Sequence, residues 1–264
     1  MTDLQHLQKV LLEIAKDLDR FCNDNDIVYY LVAGTALGAV RHKGFIPWDD
    51  DFDIAMDSTN YVKFLQIAHE KLDKSKYCIQ EGYVDWPMPF SKIRLLGTEY
   101  NESGKLEGSN NSHGIFIDIF PFENAPNNKF ARLWQFLCGK LLLSYCLRRR
   151  GFESNSVSKK ILLIISHLLD FKPLRLFVRK QVERYRNKET DYMGSFGGNL
   201  KYKNIFFKKC DWAQTIRAPF EDTMFPIPAG YHNILKQQYG DYLTLPPESQ
   251  RVGPHLTGLD FGKY

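Results

Sequence analysis

The sequence predicts an α/β (α+β) protein, a mixed sheet flanked by helices with a helical, basic insertion. Three observations carry that expectation. Short runs rich in β-branched and aromatic residues alternate with segments whose apolar residues recur at helical spacing. Residues 51–54, Asp-Phe-Asp-Ile, alternate acidic and apolar, as on a strand with one face at a site and the other in the core. Residues 129–190 hold fifteen Lys/Arg against four Asp/Glu, a local +11, while the rest holds twenty against twenty-seven, or −7. So lopsided a charge points to two surfaces with different partners. The chain of 264 residues can bury a full core. Its 44% hydrophobic and 25% charged residues are those of a soluble globular protein.

Each element has its own signal. Thr2-x-x-Gln5 resembles a capping box, and Leu4, Leu7, Leu11, Ile14, Leu18 and Phe21 follow at helical spacing. Residues 27–32 (IVYYLV) read as a buried strand, Gly34-Thr35 as its break and 36–40 as a short helix. A loop with Gly44 and Pro47 leads to a second strand over 51–56. Asp57 or Ser58 caps a helix that carries Tyr61, Phe64, Leu65, Ala68 and Leu72. Shorter strands are expected near 77–80 and 91–96, a polar loop over 101–113, and a strand over 115–120 closed by Pro121. Residues 129–187 are helical, broken at 151–158 and at Pro173. Pro226 and Pro228 precede a helix near 230–239 and a Pro- and Gly-rich tail.

Compartment is read from what the chain uses. Five scattered cysteines form no C-x-x-C pair and no zinc spacing, which fits a reducing compartment. The first residues open a polar–apolar helix instead of an apolar leader, and no stretch offers about twenty uninterrupted apolar residues. A cytoplasmic protein is expected.

The chemistry gathers at three places. Asp49, Asp50, Asp51 and Asp53 lie between apolar Ile46, Trp48, Ile54 and Ala55, where a solvated acidic run would not be so flanked. On a strand, Asp51 and Asp53 point the same way with Cα atoms roughly 6.5 Å apart, close enough to share a hard cation such as Mg²⁺. Gly34-Thr35 stands where a strand gives way to a helix, a place for an anion against free N–H groups. Asp118 stands amid Ile115, Phe116, Ile117, Ile119 and Phe120, as a third metal carboxylate or a base for an attacking hydroxyl. An EF-hand fails, since its sixth position would be Ile54 and its twelfth Asn60. No Gly-Lys is followed by Ser or Thr, so there is no Walker A loop, and His42 has no second histidine at zinc spacing. An Asp-x-Asp glycosyltransferase and a nucleotidyltransferase that moves an NMP remain as enzymatic rivals. The non-enzyme rival is a membrane- or nucleic-acid-binding module built on the basic segment. That segment lacks the aromatic–basic strand pattern of RNA stacking, and no nucleic-acid partner is expected.

Strand, Gly-Thr, helix, Asp-x-Asp strand and a later Asp strand together suggest the nucleotidyltransferase fold. Residues 31–54, LVAGTALGAVRHKGFIPWDDDFDI, resemble the signature of the LicD family, phosphocholine transferases of bacterial surface glycans related to fukutin-type phosphoribitol transferases. Similarity continues in 90–98 (FSKIRLLGT), 114–121 (GIFIDIFP) and 239–247 (YGDYLTLPP) with Arg251, and is weakest over 129–187. The resemblance implies a nucleotidyltransferase-like catalytic core over 1–128, a lid or membrane-facing insertion over 129–190, and a C-terminal part, 191–264, that completes the core. It implies a CDP-linked donor, CDP-choline first, whose pyrophosphate meets Mg²⁺ (or Mn²⁺) held by Asp51, Asp53 and Asp118, with Asp49 as a fourth ligand. CMP leaves, and the phospho-alcohol passes to a sugar hydroxyl of a teichoic acid, lipopolysaccharide or capsule precursor, on a glycan or lipid-linked oligosaccharide. Gly34, Thr35, Arg41, Lys43, Lys92 and Arg94 are the candidate phosphate-binding residues. Trp48 and Trp86, with Tyr83 and Phe90 near them, are candidates to cage choline by cation–π contact or to hold the base, Phe90 being the one expected in the core. Trp86, among Asp85, Pro87 and Pro89, is expected in an open loop. Peripheral contact with an anionic membrane is expected of the basic insertion.

Overall fold

The structure, a computed structural model, describes residues 1–101, 113–152, 156–198, 201–251, 253 and 258–264. The polar loop expected over 101–113 falls, but for its two ends, outside the described residues. In chain order the elements are α1 (Asp3–Asp24), β1 (Tyr30–Leu31), α2 (Ala33–Arg41), β2 (Asp53–Asp57), α3 (Ser58–Lys71), β3 (Tyr77–Gln80), β4 (Ser91–Leu95), β5 (Glu99–Tyr100) and β6 (Phe116–Ala125). Then come α4 (Lys129–Arg149), α5 (Val157–Leu168), α6 (Lys172–Glu183), β7 (Tyr192–Ser195), α7 (Tyr202–Ile205), β8 (Phe206–Lys208), β9 (Thr215–Phe220), β10 (Thr223–Pro228), α8 (Tyr231–Tyr239) and β11 (Leu259–Asp260).

The main sheet is mixed, in the order β1-β2-β6-β4-β3, with β7 joining the far half of β6 and β8 joining β7. Only β2 and β6 run parallel among its pairs. Long β6 is the axle, since β4 meets its first half and β7 its second. Strand alternation divides the sheet into two faces. Ile54, Met56, Ile93, Leu95, Ile117 and Ile119 enter one core with α1 and α3. The residues between them, Asp53, Lys92, Arg94 and Asp118, take the other face.

The capping box forms as expected: the Gln5 N–H donates to Thr2 Oγ1 at 3.2 Å and the Thr2 N–H to Gln5 Oε1 at 3.0 Å. Asp57 caps α3 by accepting from the Asn60 N–H at 2.8 Å. Two boundaries differ from expectation. The strand of 27–32 shrinks to β1, because the Val28 N–H is taken by Asn60 Oδ1 at 2.9 Å and Ala33 turns to φ +50° to start α2. Gly34 and Thr35 therefore lie in the first turn of α2 and do not form a break before it. Likewise β2 begins at Asp53, so Asp51 stands on the turn that feeds it.

The basic segment forms three helices. Asn128 caps α4 through the Phe130 and Ala131 N–H groups, at 2.9 and 3.1 Å, and Pro173 sits in the first turn of α6 where its missing N–H costs nothing. Gln135, fully buried, donates to Asn124 O at 2.9 Å and Val182 O at 2.8 Å, which ties α4 to the sheet and to α6. No helix among the described residues is long and apolar enough to cross a membrane.

Candidate active site

The site is built on three adjacent strands. Asp53 of β2 lies in register with Asp118 of β6, and Asp118 with Lys92 of β4. Directly paired residues share a face, so two carboxylates and an ammonium stand side by side. Lys92 Nζ meets Asp118 Oδ1 at 2.8 Å, with Lys92 almost wholly buried. The Lys92 ammonium also lies 3.2 Å from the Phe116 ring centroid.

The acidic turn is held over this face from several sides. Phe52 is buried between the two acids of the Asp-x-Asp and packs edge-on against Phe220 and Phe225 of the β9–β10 hairpin, at 5.4 and 5.5 Å. Gln8 of α1 donates to the Asp49 carbonyl at 2.8 Å. Thr35 Oγ1 accepts from the Asp53 N–H at 2.8 Å. The hairpin tip braces the preceding loop, with the Glu221 N–H on Lys43 O at 2.7 Å and the Phe45 N–H on Glu221 Oε1 at 3.0 Å. A Cβ on Gly34 would stand 2.7 Å from Asp49 Oδ2, so glycine lets that carboxylate front the start of α2.

Electrostatics mark the same cluster. Burial, then the charges of Asp49, Asp50 and Asp118, pushes the Asp51 carboxyl up to about 8. Burial and Asp50 push Asp49 up to about 6. Burial, with Asp51, Asp118 and Asp49 around it, raises Asp53 well above the carboxylate range. The Tyr239 phenol is raised by burial and by the charges of Asp53, Asp49 and Asp51, so the end of α8 lies in the field of the cluster. Crowded carboxylates of this kind need a cation to stay ionised. Asp49, Asp50 and Asp51 bring one oxygen each to within 4.8 Å of one another. That all-oxygen set fits Mg²⁺ or Mn²⁺.

Several expectations change here. Trp86 is not in an open loop: it is 1% exposed, with Arg150 4.5 Å, Lys92 4.9 Å and Arg94 5.7 Å from its ring. Three cations already face the indole, which leaves no place for a quaternary ammonium, and Trp86 is withdrawn as a choline contact. Lys92 and Arg94 are not exposed phosphate grips. Lys92 is spent on Asp118, and Arg94 donates to Gln80 Oε1 at 2.6 Å and Gly114 O at 2.8 Å. Gly34 and Thr35 serve Asp49 and Asp53, as described, and the start of α2 faces Asp49. Lys43 is exposed and donates to Val40 O at 3.3 Å.

Arg41 and Trp48 come together with a part of the chain far away in sequence. Arg41 donates to Tyr242 O at 3.0 Å, and the Arg251 guanidinium lies 5.9 Å from the Trp48 ring. Asp50, Tyr100, Tyr239 and Arg251 were not picked out as site residues by the sequence. The Tyr100 hydroxyl donates to the Asp50 carboxylate in a short bond. The run of adjacent acids was the available signal for Asp50; Tyr239 and Arg251 had only the family resemblance of their segment.

Comparison with known proteins agrees with this geometry. Residues 26–137 match the family model "LicD/FKTN/FKRP, nucleotidyltransferase domain". The chain is 30% identical over 265 aligned positions, 96% of each chain, to the "Lipopolysaccharide cholinephosphotransferase LicD" of Haemophilus influenzae. Over 57 residues it is 44% identical to an uncharacterized protein of Rickettsia typhi and 42% to one of Rickettsia prowazekii, in each case 22% of this chain and 18% and 21% of theirs. A match at this identity along nearly the whole of both chains, with the acid-bearing strands inside the matched domain, shows that the chain belongs to the LicD family.

Proposed function

We propose that the protein transfers a phospho-alcohol, phosphocholine first, from CDP-choline to a sugar hydroxyl of a cell-surface glycan. The acceptor is a glycan or lipid-linked oligosaccharide on the way to lipopolysaccharide, teichoic acid or capsule, and the reaction is cytoplasmic. One observation carries the reading: the end-to-end similarity to a lipopolysaccharide cholinephosphotransferase in a chain that keeps Asp49 to Asp51, Asp53 and Asp118 on one face.

Asp49, Asp50 and Asp51 would hold Mg²⁺ or Mn²⁺, with Asp53 and Asp118 behind them. When bound, the cation neutralises phosphate charge and favours in-line displacement. Arg41 and Arg251, beside Trp48, supply positive charge for the donor's phosphates, and Trp48 offers a ring to choline or base. Asp118 is already compensated by Lys92, so its register neighbour Asp53 is the better proton acceptor for the attacking hydroxyl. The sugar oxygen bonds to the distal phosphorus, the bond from that phosphorus to the bridging oxygen breaks, and CMP departs with the electron pair.

The test is product analysis with purified protein and CDP-choline, CDP-ethanolamine, CDP-ribitol, CTP or a sugar nucleotide such as UDP-glucose, with and without Mg²⁺. Phosphocholine on the acceptor together with free CMP supports the reading. An NMP-modified acceptor, or a transferred hexose from a sugar nucleotide, would replace it with one of its rivals.

A further inference from the structure

We infer that the outer face of α4–α6 docks on an anionic lipid bilayer. The first observation is that α5 leaves most of its apolar residues in water. It buries Ser166, half-buries Leu162 and Leu163, and presents Val157, Ile161, Ile164 and Leu168 to solvent, Leu168 being 74% exposed. Those four residues fall at i, i+4, i+7 and i+11, a single face of the helix. A surface helix of a globular protein is oriented the other way.

The neighbouring helices repeat the pattern. Phe130, Leu133, Trp134 and Leu137 of α4, at i, i+3, i+4 and i+7, are all exposed, Phe130 by 84%. So are Leu176 and Phe177 of α6. The helices pack together: Trp134 Nε1 donates to Gln181 Oε1 at 3.3 Å, and Arg148 bonds His167 at 3.1 Å. So much exposed apolar surface on one three-helix unit marks an interaction site.

Charge says what covers it. Among the described residues, the exposed Asp, Glu, Lys and Arg of these helices are Lys129, Arg149, Lys159, Lys160, Lys172 and Lys180, without one acid. Asp170 is already occupied by Arg148 and Arg175, and Arg179 by Glu183 at 2.8 Å. An apolar face whose exposed charges, among the described residues, are cations suits acyl chains beneath anionic headgroups. Two such faces would repel, which argues against a second copy as the occupant. The helical unit also packs on the wall of the site: Arg150, just past α4, lies over Trp86, which lies over the Lys92 paired to Asp118. An acceptor carried on a lipid would be presented beside the acids. That last step rests on the proposed transfer; the docking itself rests on the surface alone.

Flotation of the full chain with phosphatidylcholine vesicles, with and without phosphatidylglycerol, tests it. The protein should float with the anionic vesicles at low salt and leave them at high salt. The double variant Ile164→Glu/Leu168→Glu should lower the bound fraction by about tenfold or more, with an unchanged thermal melt because both side chains are exposed. Brominated lipid should quench the parent's fluorescence, and Trp134→Phe should remove that quenching. Protein that stays soluble with anionic vesicles at low salt overturns the inference. So does undiminished binding by the double variant, or a dimer that this variant splits. Loss of the transfer reading alone would leave flotation unchanged.

Discussion

The acid-bearing sheet face and the α4–α6 unit each reverse the usual placement of charge, in opposite directions. On the sheet, Lys92 and Arg94 are withdrawn from water and the carboxylates around Asp51 are half-buried, while Ile54, Ile93 and Ile117 pack behind them. On the helices, lysines lie at the rim and the most apolar side chains of α5 lie outside. On the sheet face register answers one charge with another: Lys92 lies across from Asp118. The apolar side chains of the helical face are left in water, and the proposed docking rests on that difference. Charge buried with its counter-ion reads as chemistry, and apolar surface left open reads as attachment.

The sharpest way to break the sheet half of this contrast is to neutralise its acids. Asp51→Asn or Asp53→Asn should lower transfer by roughly a thousandfold or more, with the fold intact, because a lost ligand or proton acceptor acts on the transition state. Turnover of either purified variant close to the parent's would remove those residues from the site. Asp118→Asn should cost activity and stability together, since it leaves Lys92 buried without its counter-charge.

Next in size is the pairing itself. Lys92→Met should destabilise the protein by about 3–5 kcal/mol, the cost of stranding one member of a buried ion pair. The double variant Lys92→Met/Asp118→Leu should recover much of that loss. Denaturant unfolding reads both. A single-variant loss under about 1 kcal/mol would mean that Asp118 is compensated elsewhere.

Most of this arrangement was legible in the sequence, and what escaped was tertiary. The alternation Asp-Phe-Asp-Ile showed that Phe52 points into the core while Asp53 points out of it, and both do. The acid of 115–120 was readable as a site residue because five large apolar neighbours made a surface placement implausible. Strand alternation also put Lys92 and Arg94 on one face, but not which face, or that Asp118 would lie opposite Lys92. Register between β4 and β6 decides that, and it joins residues 26 apart in the chain. Trp86 misled because Pro87 and Pro89 mark a loop without saying that the loop folds beneath Arg150. Arg148, Arg149 and Arg150 look like one basic patch in sequence. The helix end separates them, sending Arg148 to Asp170, Arg150 to Trp86 and only Arg149 to solvent.

A smaller and pH-dependent effect follows from the crowding of the acids. Folding raises Asp49 to about 6 and Asp51 to about 8, above the unfolded carboxylate range near 4. A raised carboxyl binds its proton more tightly in the folded state. Its contribution is complete below the unfolded value and is lost as pH rises through the folded one. The metal-free protein should therefore lose stability between about pH 5 and 8. If the acids hold Mg²⁺ as proposed, the ion takes their ionised form, and it should raise the melting temperature more at pH 8 than at pH 5.5. Asp49→Asn/Asp51→Asn should reduce the pH dependence, leaving the part due to Asp53, and abolish the Mg²⁺ shift. A parent melting temperature indifferent to both pH and Mg²⁺ over that range would show that the acids are not competing for one site.

The smallest expected effect probes the helical half. Ile161→Ser places a hydroxyl where the fold keeps a large apolar side chain in water. If the face belongs to a partner, the isolated protein gains nothing from the isoleucine, and unfolding should change by no more than about 0.5 kcal/mol. The buried side of the same helix should behave otherwise. Ser166 is fully buried and its hydroxyl donates to Leu163 O at 2.8 Å, so Ser166→Leu forces a larger side chain into a filled space and should cost about 1–3 kcal/mol. In an ordinary amphipathic helix a loss of isoleucine to serine hurts and a gain of leucine helps. Here the order should invert, and chemical denaturation of the two variants measures it directly. A large loss for Ile161→Ser would mean that the apolar face packs within the protein in solution, and the contrast between the two regions would collapse to one kind of core.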